Sequence, residues 1–197
     1  YKTLKENQNR VQTFISASGI GYYGDRGEEV LHEDDPPGEG FFGETGVKWE
    51  NAAWQFEDLG KRVGIVRTGF VISSKGGAMP EIIKPMKFGI DGYFGNGKQY
   101  YPWIHIDDLC RIYIFILENG LSGVFNGAAP YPVTNKELVK TTKDALNKRG
   151  LLLPAPRVAL SIALGELADG LLYSANVSSE KIRSHGFEFK YTDLKKA

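Results

Sequence analysis

The chain has 197 residues, 24 basic and 24 acidic side chains, three histidines and one cysteine. That length suits one domain or one and a half with a substantial core, and the even charge balance argues against a nucleic-acid partner, which a concentrated basic excess serves. Cys110 alone forms no intrachain disulfide, and no apolar run approaches a membrane span, so the expected setting is the reducing cytoplasm, with no membrane partner.

Residues 1–10 read as the polar end of a helix leading into residues 11–24, Val-Gln-Thr-Phe-Ile-Ser-Ala-Ser-Gly-Ile-Gly-Tyr-Tyr-Gly. The apolar, β-branched run 11–15 has the composition of a buried parallel strand, and the small residues after it let the backbone turn. Ligands of open α/β sheets bind beyond the carboxyl ends of the strands, which puts Ser16, Ser18, Tyr22 and Tyr23 at a crevice. Gly19-x-Gly21-x-x-Gly24 matches the dinucleotide-binding fingerprint as a string. The fingerprint needs a helix opening at its second glycine, whereas residues 25–38 carry loop chemistry without apolar periodicity, so the match is read as false.

Residues 44–59 carry helical spacing through Val47, Ala52, Trp54, Phe56 and Leu59, and Gly60 ends it. Residues 62–68, Arg-Val-Gly-Ile-Val-Arg-Thr, read as a second buried strand, so strand, helix and strand make one crossover unit. A strand end and turn follow at 69–77, then a short helix over 78–88 confined by Pro80 and Pro85, and a hairpin or loop over 91–101. Residues 102–109 alternate before breaking into helical spacing from Ile112, with Asp107 or Asp108 placed to cap that helix. A short strand is expected at 123–127, and Thr134-Asn-Lys-Glu137 is a capping box opening a helix to about residue 147. Then come a connector at 151–156, an apolar helix or helix pair over 158–172 broken near Gly165 and Gly170, a short helix over 178–185 and an extended end.

Three stretches together carry a resemblance: Ile-Ser-Ala-Ser-Gly-Ile-Gly-Tyr-Tyr-Gly ending at Gly24; Lys48-Trp-Glu50 with Arg67-Thr-Gly69; and Pro102-Trp-Ile-His-Ile-Asp-Asp-Leu109 followed by Asn126-Gly-Ala-Ala-Pro130 and Thr134-Asn135. In this order they resemble the extended short-chain dehydrogenase/reductase superfamily, and within it the nucleoside-diphosphate-sugar epimerase-like group. The resemblance runs over the last two thirds of such a protein. The family's opening half-sheet and its glycine-rich turn are absent, and with no initiator methionine the sequence reads as part of something longer. The implied fold is α/β: the C-terminal part of a doubly wound, Rossmann-like parallel sheet from 1–75 and 123–150, with a small mixed α/β substrate-capping region from 76–122 and 151–197.

By resemblance, Ser18 stands where the superfamily serine hydrogen-bonds a substrate oxygen. A hydroxyl both donates and accepts, which suits an oxygen alternating between alcohol and carbonyl; a turn or capping serine is the other reading. The family's Tyr-x-x-x-Lys is where the chain departs. Lys48 is taken as the lysine position, Glu44 stands four residues earlier, and that helix has no tyrosine. Glutamate titrates near about 4.3, so Glu44 and Lys48 are read as an exposed helix pair, and Tyr22 or Tyr23 either supplies the phenol or packs. The expected catalytic set is Ser18, Tyr22 and Tyr23; Lys48, Thr68 and Gly69 would touch cofactor; Ser16, His105 and Arg67 would touch substrate. Ser18, Tyr22 or Tyr23, Thr68 and His105 are expected to converge on one cleft. For His105 the alternative is a structural role, and for Arg67 an acidic partner in the fold. Trp49 is read as core or cleft wall, and Asp107 and Asp108 as cap and surface rather than metal ligands.

The implied activity is NAD- or NADP-dependent epimerisation or oxidoreduction of a hydroxylated small molecule of the nucleotide-sugar kind. The rival is a non-catalytic nucleotide-sensing or interaction protein that keeps the fold. Lacking the turn that holds a pyrophosphate, the 197-residue chain is expected to bind cofactor weakly, and the open edge of its first strand invites homodimerisation.

Overall fold

Three parallel strands lie at the centre of the fold in a computed structural model, which describes residues 1–165 and 167–197. They are β1 (Thr13–Gly19), β2 (Arg62–Thr68) and β3 (Gly123–Gly127), side by side in that order. Parallel neighbours require crossover connections. The connections carry α1 (Gly40–Trp54), between β1 and β2, and α2 (Ile106–Glu118), between β2 and β3. Strand alternation then divides the core in two. Phe14, Val63, Ile65 and Val124 pack with Ala53, Trp54 and Phe56 beside α1. Ile15, Val66 and Phe125 pack with Leu109, Ile112 and Ile116 of α2. Helices on both faces of a parallel sheet define the doubly wound α/β class. Val63, Ile65, Val66 and Phe125 are wholly buried; each such side chain stabilises the fold by roughly 1.5–3 kcal/mol.

The strand β1 starts two residues later than its apolar run suggested and continues to Gly19, so Ser16 and Ser18 lie within it. The turn after it is a 3-10 turn, Ile20–Tyr23, and no α-helix opens at Gly21. On α1 the buried positions are Gly43, Gly46, Glu50 and Ala53, a stripe of mostly small residues that brings the helix close to β1 and the turn. A Cβ built on Gly46 would lie 3.2 Å from Tyr22. Trp49, read as core or cleft wall, is instead 51 % exposed.

Away from the central sheet, α3 (Asn135–Ala145) opens with the expected capping box, Thr134 Oγ1 accepting from the Glu137 N–H and Glu137 accepting from the Thr134 N–H. Two expectations are corrected nearby. Within the supposed loop at 91–101 and the connector at 151–156 lie two parallel partners, Ile90–Phe94 and Leu151–Ala155. Each carries a residue that weakens a strand reading, Gly92 or Pro154, and they pair because the tertiary fold brings them together. The turn expected at 69–77 begins with a short strand, Phe70–Ile72, paired with Trp103–His105.

The expected caps of α2 are corrected as well. His105 caps it, its Nδ1 accepting from the Asp107 N–H at 3.1 Å. Asp108 is not a surface residue: fully buried, it accepts from the backbone N–H groups of Lys190 and Tyr191 at 3.0 and 2.8 Å and from Arg111 Nη1 at 2.6 Å. Two of these three donors come from the C-terminal segment, 82 and 83 positions away, which no local pattern could announce. No helix among the described residues is long and apolar enough to cross a membrane.

Candidate functional site

Register builds the site. Ser18 of β1 lies opposite Arg67 of β2, and Arg67 opposite Asn126 of β3. One row of polar side chains therefore crosses the carboxyl end of the sheet, immediately after the apolar rows that hold its core. Buried polar groups must find partners, and this row finds them in α1 and in the segment between β1 and α1. Glu50 on α1 accepts from Ser18 Oγ at 2.8 Å and from Arg67 Nε and Nη2, both at 2.8 Å. Arg67 Nη1 donates to the Tyr23 hydroxyl and to the Glu33 carbonyl, each at 2.9 Å. Tyr23 in turn donates to Asn126 Oδ1 at 2.7 Å, and the Asn126 N–H donates to Glu33 Oε1 at 2.9 Å. The guanidinium carbon of Arg67 lies 3.4 Å from the Tyr22 ring centroid, a close cation–π stack.

The electrostatics follow from burial. Arg67 is 2 % and Glu50 5 % exposed. Burial works against the Arg67 charge, but hydrogen bonds and charge from Glu50 and Tyr23 outweigh it, and its affinity for the proton rises above the usual. Burial pushes the Tyr23 phenol up to about 12 despite the opposing influence of Arg67. Burial likewise raises the Glu33 carboxyl, with the Asn126 N–H opposing it. At neutral pH, Tyr23 thus keeps its proton and spends it on Asn126.

Of the residues expected at the site, Ser18, Arg67, Tyr22 and Tyr23 come together in this network. Ser16 is buried and its hydroxyl donates to the Ala17 carbonyl. Thr68 follows Arg67 in β2 and by alternation points to the other face. Gly69 is roofed by the backbone: a Cβ there would lie 2.5 Å from the Pro102 carbonyl oxygen. His105 stacks on Tyr191 with centroids 3.8 Å apart and caps α2, apart from the Ser18 network. Lys48 and Glu44 are exposed. The inner face of α1 is set by Phe42, Gly46 and Glu50, spaced four residues apart: Phe42 packs at Gly21, Gly46 at Tyr22, and Glu50 binds Ser18. Phe42 and Gly46 thus occupy the two turns of helix that lead to Glu50, and neither side chain exchanges protons.

Glu50, Glu33 and Asn126 are the members that sequence reasoning missed. The available signal was the spacing of Phe42, Gly46 and Glu50 on one helical face. The end of β1 is open on the face opposite this network, which Thr68 shares: Ala17 is exposed, and a Cβ built on Gly19 would find its nearest atom 4.0 Å away. Among the described residues no cluster of His, Cys, Asp and Glu could hold a metal ion.

The sequence matches the profile of the NAD dependent epimerase/dehydratase family over residues 4–127, and that of a domain of unknown function, DUF1731, over 155–197. An epimerase family protein of Mycobacterium leprae (strain TN) is 35 % identical over 189 residues, which is 95 % of this chain and 61 % of that protein. An epimerase family protein of Staphylococcus aureus (strain N315) is 35 % identical across 100 % of this chain and 66 % of its own length. The chain spans about three fifths of the length of the first of these relatives. Among solved structures, the human epimerase family protein SDR39U1 with NADPH superposes with a TM-score of 0.89 at 31 % identity, over 98 % of this chain and 66 % of that one. A nucleoside-diphosphate sugar epimerase from Corynebacterium glutamicum gives 0.74 at 32 % identity, over 96 % of this chain and 37 % of that one.

Proposed function

The chain belongs to the NAD dependent epimerase/dehydratase family, and from that premise we propose that it serves the NAD- or NADP-dependent epimerisation or oxidoreduction of a hydroxylated, nucleotide-linked small molecule. The observation that carries this reading is the polar row. Ser18 stands at the carboxyl end of a parallel strand beside an uncovered Gly19, where open α/β sheets bind their ligands. Likeness to a nucleoside-diphosphate sugar epimerase supports the substrate class, and likeness to a protein solved with NADPH supports the cofactor.

The residues present fit the nicotinamide end of such a cofactor. The uncovered backbone at Gly19 offers a flat group a place to lie, with Thr68 as its register partner on β2. Lys48 faces solvent and Gly69 is closed over by Pro102, so neither touches cofactor in this proposal. Nor do the glycines at 19, 21 and 24 open a helix toward a pyrophosphate; Gly21 lies against Phe42. When bound, the nicotinamide supplies the hydride acceptor or donor. Ser18 then holds the substrate oxygen, Glu50 and Arg67 hold Ser18, and Tyr23 with Asn126 holds Arg67 in place.

Titration with NADPH and NADH, followed by hydride-transfer assays on nucleotide sugars, tests the reading. A form as long as its relatives is expected to bind one cofactor more tightly than the 197-residue chain does. Its turnover should fall with Ser18→Ala far more than its thermal stability does. Absence of cofactor binding in the longer form ends the proposal. One observation favours a second reading, a nucleotide-sensing or interaction protein without turnover: Phe42 and Gly46 bring no acid or base to the helix face beside the Ser18 network. Cofactor binding with no hydride transfer to any hydroxylated substrate would establish that alternative.

A further inference from the structure

Far from the polar row, the paired strands Ile90–Phe94 and Leu151–Ala155 are covered on one face only. Tyr93 and Leu152 turn inward and pack with Met86, Leu138 and Val139. Ile90, its register partner Leu151, and Leu153 stand on the other face, and all three are exposed. The turns leading into the two strands lie side by side, the Leu151 N–H donating to the Gly89 carbonyl at 2.9 Å. Phe88 projects from the first turn with 85 % of its surface exposed, and Leu151 follows the second with 70 %. Apolar surface gathered in this way marks a contact site.

Cations flank both turns. Lys87 precedes Phe88, and Lys148 and Arg149 lead to Leu151; all three are exposed, and among the described residues none pairs with a carboxylate. Residues 82–90 and 145–158 together carry five basic side chains and no acidic one. Of these five, Lys84 and Arg157 are engaged by Glu81 and Asp169. Asp91, which follows Ile90, is fully buried.

The backbone removes two ordinary occupants. An added strand needs donors along an open edge. The Leu151 N–H and the Ala155 carbonyl bond toward Gly89 and Gly95, so Leu152 and Pro154 face the open edge, and Pro154 has no N–H. A partner helix needs a groove, and the cavities lined by Phe187 and by Tyr173 include none of these residues. A second copy laid face to face would set cation against cation. A broad anionic surface meets both the charge and the shape.

We propose that this face rests on an anionic lipid bilayer, with Phe88 and Leu151 entering the headgroup layer and Lys87, Lys148 and Arg149 meeting acidic headgroups. Contact with a membrane surface is separate from crossing it, so the lack of a spanning helix among the described residues does not bear on this site. Nor does the proposal depend on the role of Ser18 or on turnover.

Vesicle flotation tests it, with the protein at its relatives' full length so that any segment able to cover the face is in place. Binding is expected to vesicles of equal parts phosphatidylcholine and phosphatidylglycerol, and not to phosphatidylcholine alone. Exchange of Lys148 and Arg149 together for glutamine should weaken it about thirtyfold, at about fivefold for each cation near such a surface. Phe88→Ala should weaken it about tenfold or more. Added salt should weaken wild type but leave its ratio to Phe88→Ala unchanged, because salt screens charge and not apolar contact. Lys98→Gln, in the turn beyond the far end of the first strand, should change nothing. These side chains are exposed, so thermal melts should match wild type. Absence of vesicle binding, equal binding to both lipid mixtures, or binding that survives Phe88→Ala or the glutamine pair overturns the proposal. Capture of soluble polyglutamate without vesicle binding would mark a protein-docking face and overturn it as well.

Discussion

Two buried carboxylates, Glu50 under the site and Asp91 under the outlying pair of strands, show how differently one chain treats a charge removed from water. Glu50 accepts three hydrogen bonds from two side chains on neighbouring strands. Asp91 is fully buried, yet neither of its oxygens has a hydrogen-bond partner among the described residues. Lys143 Nζ stands 3.3 Å from it and donates to the Gly150 carbonyl at 2.6 Å. The first charge is held by directional donors on rigid elements, the second by one flexible ammonium. Such a contrast marks the Ser18 end of the sheet as a place where geometry is fixed, and the Asp91 end as one where charge is merely neutralised.

Breaking the tight side should have the largest effect. Arg67→Met leaves Glu50 buried with only Ser18 for company, and removal of one partner from a buried pair costs about 3–5 kcal/mol; urea unfolding should show a loss on that scale, and a loss under about 1 kcal/mol would mean that Glu50 finds water. Asp108→Ala is next, since it strips the acceptor from the Lys190 and Tyr191 N–H groups. A cost of about 2–3 kcal/mol is expected, with early proteolytic cleavage of the C-terminal segment as its signature.

The Tyr23 phenol sharpens the comparison through pH. Its folded value of about 12 lies above the ordinary value of 10, so the folded state holds this proton more tightly than the unfolded chain does. That stability is fully present below pH 10 and lost as pH climbs toward 12, with a slope of up to about 1.4 kcal/mol per pH unit. Tyr23→Phe should flatten the slope in this window, and an unaltered slope would assign it to other tyrosines such as Tyr101, which burial also raises. Smallest of all, Asp91→Asn should change stability by less than about 1 kcal/mol, because Lys143 keeps its carbonyl and reaches solvent. A larger loss would show that the outlying carboxylate is held as firmly as Glu50, and the contrast would dissolve.

The central sheet was legible because β2 is apolar along most of its length and buried on both faces, a pattern that few other elements share. The end of β1 was harder to read. Ser16 and Ser18 look like turn residues, and they remain in the strand because Ser18 finds Glu50, 32 residues away. Arg67 was named with its alternatives, a substrate contact or an acidic partner in the fold, but the partner itself depends on register and on how α1 is rotated. That rotation also explains Lys48: residues two apart on a helix point about 200° from each other, so with Gly46 against Tyr22, Lys48 falls on the solvent side. His105 was legible as a residue at the start of α2, but its cap geometry was not, since an imidazole rarely fills the place that Asp107 and Asp108 seemed to claim.

The polar row also says something about the order of events as the chain folds. Its bonds join Ser18 to Glu50, Arg67 to Glu33 and Tyr23 to Asn126, the last pair separated by 103 positions. None can form correctly until β1, β2 and β3 are in register, and contacts so distant in sequence wait for the local ones. A row completed after the rate-limiting barrier predicts that substitutions in it speed unfolding while leaving the folding rate almost untouched, which stopped-flow chevrons of Arg67 and Glu50 variants would read. A protein built this way loses its site by accelerated opening, so the lifetime of the folded state, more than the ease of reaching it, is what Arg67 and Glu50 protect.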